Sequence, residues 1–332
     1  MQLVNNDLST KNEITLSIIV PVYNEQEMLP IFHHHLAKVL STLSEERIEI
    51  IYVNDGSCDD SWDVILELNS HYASIECINL SRNFGKEAAM TAGIDNSKGQ
   101  ALILLDADLQ DPPELIPDML AAWREGFDVV NMKRSARLGE SKFKCWSAHV
   151  YYRLLDHLSE VPLQKDVGDF RLLSRRVIDD IKKLSERSRY MKGILSWPGY
   201  KQTTISFERP ERVAGETKWS FMQLVKLGLS GITAFSVKPL RISTWAGALI
   251  SASAFCYGLW ILFKTLVYGE AVAGYPSMML IQLFLGGVQL LAIGILGEYI
   301  GRIYAEAKAR PIYLIMDKEN NDIVHSMVEK HG

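Results

Sequence analysis

The sequence predicts an α/β domain with a mostly parallel sheet, followed by amphipathic helices and two membrane-spanning helices. In the first half of the 332-residue chain, short apolar runs alternate with stretches of helical length, which is typical of βαβ units. Near the C-terminus, the stretches 242–263 and 271–297 contain no charged residue. Each is longer than the roughly 20 residues that a helix needs to cross a membrane.

Five apolar runs are predicted as strands of the sheet: Leu16–Val22, Ile48–Val53, Ile75–Leu80, Ala101–Leu105 and Asp128–Asn131. The intervening segments have the length of crossover helices, and several of them end on a glycine; they are 25–43, 59–71, 84–97 and 113–126. Ligands of doubly wound sheets bind beyond the carboxyl ends of the strands. Because polar clusters follow four of these strands, we expect one ligand crevice there.

The most informative cluster follows the fourth strand. Asp106 and Asp108 lie two residues apart, and Gln110 lies two residues further on. On an extended segment such side chains point the same way, so they can hold one hard divalent cation, which in turn binds a diphosphate. The alternative is an ordinary strand-to-helix turn, because Asp111 and the prolines after it are typical of a helix start.

The apolar stretches predict transmembrane helices at 241–268 and 274–300; a buried helical hairpin in a soluble protein is the alternative. Basic residues flank the pair on its outer sides and are sparse between the stretches, so the positive-inside rule places both termini in the cytoplasm; these residues are Lys238, Arg241, Arg302, Lys308 and Arg310. We expect the remaining C-terminal segment, 301–332, to be a cytoplasmic tail.

Amphipathic helices are predicted at 217–240, where apolar residues recur at helical spacing. They suit the membrane interface, or equally packing against the N-terminal domain. The N-terminal tail, 1–14, is polar and lacks the apolar core of a secretory signal, so we expect the domain to stay on the side where it is made.

Composition and motifs exclude several classes of protein. A formal net charge of −5 gives no reason to expect a nucleic-acid partner. The four cysteines show no paired spacing, which fits reduced thiols better than disulfides or a zinc site. The chain lacks both a dinucleotide-binding glycine motif after the first strand and a P-loop, so it is predicted to be neither a dehydrogenase nor a P-loop ATPase.

Taken together, the polar clusters resemble the nucleotide-sugar domain of GT-A fold glycosyltransferases of family 2; they are Val20–Glu25, Asn54–Ser57, Arg82–Lys86 and Asp106–Gln110. Three later stretches are more specific and resemble polyprenyl-phosphate glycosyltransferases, above all bactoprenol glucosyl transferases of O-antigen modification: Gly168–Leu172, Met191–Trp197 and Leu296–Arg302. Dolichyl-phosphate mannose synthases are less similar. Many relatives carry a second aspartate at position 54. This chain has Asn54 instead, so Asp55 is its sole carboxylate for that contact.

The resemblance implies a Rossmann-like GT-A domain at 15–216 and a set of site residues. The implied nucleotide-sugar residues are Pro21, Tyr23, Glu25, Asp55, Asn83, Lys86 and Asp106. The implied ligands of Mg²⁺ or Mn²⁺ are Asp106, Asp108 and Gln110. The implied catalytic residues are Asp106, Asp108, Asp169, Arg134 and Lys218, and those for a lipid phosphate are Arg134, Arg137, Arg171 and Lys218. Two of these residues also have a structural interpretation. Lys86 fits a solvated residue of a helix equally well, and Asp169 fits a turn or a helix cap.

The implied activity is inverting transfer of glucose from UDP-glucose to undecaprenyl phosphate at the bacterial inner membrane. A homo-oligomer, with a tetramer suggested by the family, a flippase and a downstream periplasmic transferase are the implied partners. Three alternatives stay open: another donor sugar, such as N-acetylglucosamine, mannose or an aminoarabinose derivative; a polysaccharide synthase, disfavoured because Gln-x-x-Arg-Trp is absent; and an inactive scaffold for a flippase.

Overall fold

The structure is a computed structural model, and it describes residues 14–71, 74–135, 167–184, 186–187, 189, 191–195, 197–208, 238–268 and 274–320. The chain divides into two compact units. One comprises 1–146, 163–218 and 310–332 and holds the described strands; the other comprises 147–162 and 219–309 and holds two long helices. Residues 1–13 of the tail predicted at 1–14, and residues 217–237 of the amphipathic helices predicted at 217–240, lie outside the described residues.

Strands and crossover helices alternate through the first unit. The strands are β1 (Leu16–Val22), β2 (Ile48–Asn54), β3 (Ile75–Leu80), β4 (Ala101–Leu104), β5 (Val129–Ser135), β6 (Val167–Ser174), β7 (Gln202–Glu208) and β8 (Ile315–Asn320). The helices of both units are α1 (Met28–Leu40), α2 (Ser61–His71), α3 (Lys86–Asn96), α4 (Ile116–Arg124), α5 (Arg175–Lys183), α6 (Met191–Ile194), α7 (Lys238–Tyr268) and α8 (Tyr275–Ala307). A 3₁₀ turn, Pro113–Leu115, precedes α4.

The strands form one eight-stranded sheet in the order β7-β5-β6-β4-β1-β2-β3-β8. Strands β4, β1, β2 and β3 are mutually parallel, and β5 is parallel to β7. Strand β6 runs antiparallel to both β4 and β5, and β8 runs antiparallel to β3. Each antiparallel strand therefore begins at the edge where its parallel neighbours end, so its first residues join the strand-end loops.

The centre of the sheet is apolar on both faces because helices cover it on both sides. Leu16, Ile18, Ile19 and Val20 of β1 are all fully buried, as are Ile51 and Tyr52 of β2 and Ala101 and Ile103 of β4. Continuous apolar runs of this kind identify buried parallel strands. The five predicted strands are confirmed to within a few residues at their ends, except that β5 continues to Ser135.

Three strands were not predicted: β6, β7 and β8. Strand β8 corrects the expectation of a simple tail at 301–332. Helix α8 continues to Ala307, and residues 315–320 then form the edge strand beside β3.

Helices α7 and α8 correspond to the spans predicted at 241–268 and 274–300. Their described apolar side chains are largely exposed, including Trp245, Leu249, Phe255, Phe263, Phe284 and Leu290. Among the described helices, the segment Phe284–Ala307 of α8 is long and apolar enough to cross a membrane. By this measure α7 does not qualify, so the first span stays a prediction.

Candidate active site

A cavity of about 250 Å³ lies at the carboxyl edge of the sheet, beyond β1, β2 and β4. The structure brings together around it every residue assigned to the nucleotide-sugar, together with Asp108; these are Pro21, Tyr23, Glu25, Asp55, Asn83, Lys86 and Asp106. Parallel strands that end side by side explain this convergence, because each contributes its first loop residues to the same edge.

The loops after β1 and β2 are joined by hydrogen bonds. The amide of Asn24 donates to Ser57 Oγ over 3.0 Å, and Asn24 Oδ1 accepts from the amide of Cys58 over 2.8 Å. The amide of Glu25 donates to Ser61 Oγ over 2.9 Å. These bonds hold Asn24 in a left-handed conformation, with φ of 54°, and fix its neighbours in the cavity wall.

Asp55 anchors the loop that follows β3. One carboxylate oxygen accepts the amide hydrogen of Phe84 over 2.7 Å, and the other accepts that of Gly85 over 2.9 Å. Burial raises the pKa of Asp55, and the two amide hydrogen bonds and Arg82 only partly offset this. The loop passes so close to Gly56 that a β-carbon there would lie 2.3 Å from the carbonyl carbon of Arg82. Asp55 thus shapes the cavity besides lining it.

The acidic wall is formed by the turn after β4. Asp106 and Asp108 both line the cavity. Gln110 does not share their register, because Leu109 is left-handed, with φ of 55°, and the amide of Gln110 donates back to Asp108 Oδ1 over 3.1 Å. The Gln110 side chain is only 8% exposed and is not part of the cavity wall. Both aspartates therefore line the cavity, whereas Gln110, the third predicted ligand, does not.

Lys86 lies among these acids. Its Nζ is 2.7 Å from Asp106 and 2.9 Å from Asp169, so it bridges the turn after β4 and the start of β6. Burial lowers the pKa of Lys86, but the charges of Asp106 and Asp169 and the hydrogen bonds to both outweigh that effect and raise it. The ammonium group therefore stays protonated at neutral pH, as a fixed positive charge on an otherwise acidic wall.

Arg134, near the end of β5, lies over the backbone of Gly168. A β-carbon at Gly168 would be 3.2 Å from Arg134 Nη2, so the glycine leaves room for the guanidinium. Arg134 Nη2 lies 3.5 Å from Asp111 Oδ1, a buried oxygen with no hydrogen-bond partner in the described part of the chain. Burial raises the pKa of Asp111 to about 6, with a contribution from Asp106 that Arg134 opposes.

Arg171, one of the residues implied for the lipid phosphate, is buried in β6. It is 3% exposed, and its Nη2 donates to the carbonyl oxygen of Gly168 over 2.8 Å. Burial lowers its pKa to about 10, against the influence of Asp169. It therefore supports the strand that carries Asp169. Arg137 and Lys218, the other basic candidates, lie outside the described residues.

The acidic wall fits a divalent cation that keeps most of its ligands for a substrate. No group of three His, Cys, Asp or Glu residues that could enclose a metal occurs in the described ranges. Two carboxylates on one wall are nevertheless what Mg²⁺ uses when phosphate oxygens and water complete its shell. Sequence reasoning missed Asp111, a buried acid that pairs with Arg134 beside this wall, because its place before two prolines predicted a helix start.

The fold and this cavity define a class: an α/β enzyme with an acidic strand-end site. Residues 17–182 match the model of glycosyl transferase family 2, and residues 238–303 match that of the GtrB C-terminal hairpin. The chain belongs to glycosyl transferase family 2 and is a glycosyltransferase.

Full-length relatives support this assignment. An uncharacterized glycosyltransferase of Synechocystis is 45% identical over 92% of this chain and 95% of its own. The bactoprenol glucosyl transferase of Shigella phage SfX is 45% identical over 92% of this chain and 99% of its own. A solved structure, mannosyl-3-phosphoglycerate synthase from Rubrobacter xylanophilus, is 16% identical with a TM-score of 0.45, over 67% of this chain and 72% of that one.

Proposed function

We propose that the protein transfers glucose from UDP-glucose to undecaprenyl phosphate, giving undecaprenyl-phosphate β-glucose and UDP. The observation that carries this proposal is the 45% identity, over nearly the whole of both chains, to the bactoprenol glucosyl transferase of Shigella phage SfX. The cavity beside Asp106 and Asp108 supports it, because it offers a polar crevice for a nucleotide and carboxylates for a metal–diphosphate complex.

Two sides of the cavity hold different parts of the donor. Tyr23 and Asp55 lie on the side of the loops after β1 and β2, where the uridine binds, while Asp106 and Asp108 face the diphosphate. Asp106 and Asp108 would hold Mg²⁺ or Mn²⁺, which would supply positive charge to stabilise the departing UDP. Lys86 adds a fixed positive charge beside the same acids.

The acceptor phosphate attacks the anomeric carbon, the bond from that carbon to the UDP oxygen breaks, and the configuration inverts. A phosphate monoester is already largely ionised near pH 7, since its second pKa is about 6. No general base is needed. Arg134 holds the acceptor phosphate, together with Lys218 and Arg137, while Arg171 positions the strand of Asp169; arginine suits this role because its planar fork matches phosphate oxygens.

The protein is anchored in the inner membrane by two spans, α7 and α8, with its catalytic domain in the cytoplasm. The pairing of β8 with β3 supports an even number of crossings, because residues 315–320 complete the same sheet as residues 16–80. A single crossing would separate these segments by the bilayer. The exposed apolar side chains of α7 and α8 are suited to lipid.

A homo-oligomer, of which a tetramer is the form suggested by family resemblance, forms through α8. Within the described residues, nothing lies within 4 Å of a β-carbon built on Gly286, Gly287, Gly294 or Gly297, so this helix offers an open small-residue surface for close packing. The glucosylated lipid then passes to a flippase and a periplasmic transferase.

The test is transfer of radiolabelled sugar from a panel of UDP-sugars to undecaprenyl phosphate in detergent, with and without EDTA. We expect labelling from UDP-glucose, loss with EDTA, and a roughly hundredfold lower rate in Asp108→Asn, since that change weakens the metal–diphosphate contact. Asp118→Asn is the matched control, because Asp118 is an exposed acid in the first turn of α4.

Three results would contradict the proposal in different ways. Labelling from another UDP-sugar alone would change the donor and keep the reaction. Labelling that EDTA and Asp108→Asn leave intact would remove the metal from it. No labelling from any donor would favour the inactive scaffold.

A further inference from the structure

The edge strand β8 is docked onto the sheet by side chains as well as by its backbone. Lys318 Nζ lies 2.9 Å from Glu76, a buried acid of β3, and donates to Asn96 Oδ1 over 2.8 Å. The Tyr313 hydroxyl donates to Asp95 over 2.9 Å just before the strand begins. These contacts fix the register in which Asp317 lies opposite Asn79.

A chain of hydrogen bonds runs from this strand to the cavity wall. Asn79 Nδ2 donates to Asp317 Oδ2 over 3.3 Å, and Asn54 Nδ2 donates to Asn79 Oδ1 over 2.9 Å. Asn54 Oδ1 accepts from Ser57 Oγ over 2.5 Å, and Ser57 Oγ accepts from the amide of Asn24 over 3.0 Å. Asn24 stands between Tyr23 and Glu25, both of which line the cavity.

Within this series of hydrogen bonds, the partners of each side-chain amide fix its orientation. Asn79 is 6% exposed and Asn54 is 2% exposed, so both amides depend on protein partners for their orientation. Without the Asp317 carboxylate, an N–H of Asn79 loses its acceptor. The amide of Asn79 is then held by Asn54 alone, so its orientation, and with it that of Asn54 and the loop at Ser57, is less strictly defined.

We propose that β8 sets the affinity for the nucleotide, with Asp317 as a positioning residue that acts through Asn79 and Asn54 on the loops at Ser57 and Asn24. This inference rests on the proposed function, because it assigns the uridine diphosphate group to the cavity beside Tyr23 and Asp55. It assigns a role in donor binding to a residue that lies after both long helices in the chain.

The test is calorimetric titration of the full-length protein in detergent with UDP. We expect Asp317→Ala to weaken UDP binding about fivefold, the effect of losing one 3.3 Å hydrogen bond to an exposed carboxylate. Asp317→Asn keeps an acceptor oxygen and should restore most of the affinity. Glu319→Ala is the matched control, because it removes another exposed acid from the same face of β8, two residues along. The KM for UDP-glucose should rise in Asp317→Ala while kcat stays unchanged.

A double-mutant cycle tests whether Asp317 acts through its hydrogen bond to Asn79. If Asn79 carries the effect, Asp317→Ala should cause no further loss of UDP affinity in an Asn79→Ala background. Additive losses would overturn the path, and equal losses in Glu319→Ala and Asp317→Ala would overturn the role of the hydrogen bond. Wild-type protein that binds no UDP would overturn the proposed function together with this inference. UDP binding that Asp317→Ala leaves unchanged would overturn this inference alone.

Discussion

Replacing Asp55 with asparagine should loosen the loop that carries Asn83 and leads to Lys86, the first residue of α3. The side chain is 3% exposed, and its oxygens accept the amide hydrogens of Phe84 and Gly85 over 2.7 and 2.9 Å. Asparagine keeps one acceptor and turns an NH₂ group toward the other amide. Hydrogen bonds to charged groups contribute about 1.5–3 kcal/mol. Losing one of them therefore costs about 2 kcal/mol, or roughly thirtyfold in an equilibrium constant.

The assay is calorimetric titration with UDP, and with CDP in parallel. If Asp55 acts by anchoring the loop, Asp55→Asn should weaken both nucleotides about thirtyfold. Asp63→Asn is the control, because Asp63 is an exposed acid at the start of α2. UDP affinity within about threefold of wild type would refute the anchoring role. Stronger CDP binding by the variant would instead show that this side chain reads the base.

Two further predictions follow from burial and close packing. Gly168→Ala places a β-carbon 3.2 Å from Arg134 Nη2, so we expect about tenfold slower transfer with UDP affinity intact; an unchanged rate would contradict this. Burial lowers the pKa of His33 from 6.5 to about 4, with help from the charge of His34. The unfolded chain then binds more protons between these values, so stability should fall by up to about 3 kcal/mol from pH 6.5 to 4. Thermal melts should show a flatter pH profile for His33→Gln, which keeps a partner for the Tyr52 hydroxyl; an equal slope would contradict the assignment.

The parallel centre of the sheet was predictable because each of its strands is a continuous apolar run buried on both faces. The missed strands lack this pattern for physical reasons. Strand β8 reads Ile-Met-Asp-Lys-Glu-Asn and β7 reads Gln-Thr-Thr-Ile-Ser-Phe-Glu, as expected for edge strands with one side near water. The apolar run of strand β6 is interrupted by Gly168, Asp169 and Arg171, which make contacts at the candidate active site. Its pairing with β4 is a long-range contact that local propensity does not encode.

Clustering at the strand ends was predictable, whereas the detailed geometry was not. The left-handed conformation of Leu109 takes Gln110 out of the register of Asp106 and Asp108, and nothing in the sequence marks that residue as left-handed. Arg171 is a charged residue in a buried strand, so its burial depends on the Gly168 carbonyl oxygen that it contacts. The ion pairs of Lys86 join segments far apart in the chain, and their pairing is set by the fold.

During synthesis, the last strand added to the sheet is β8, which lies furthest along the chain. The ribosome produces β3 early, but β8 follows only after α7 and α8 have been made. Until then β3 presents an unpaired edge, and Glu76 lacks the Lys318 ammonium. Unpaired edges bind other strands, so a shortened chain that ends before residue 310 should aggregate even though it contains the whole cavity. Completion of the sheet therefore waits until both long helices have been made.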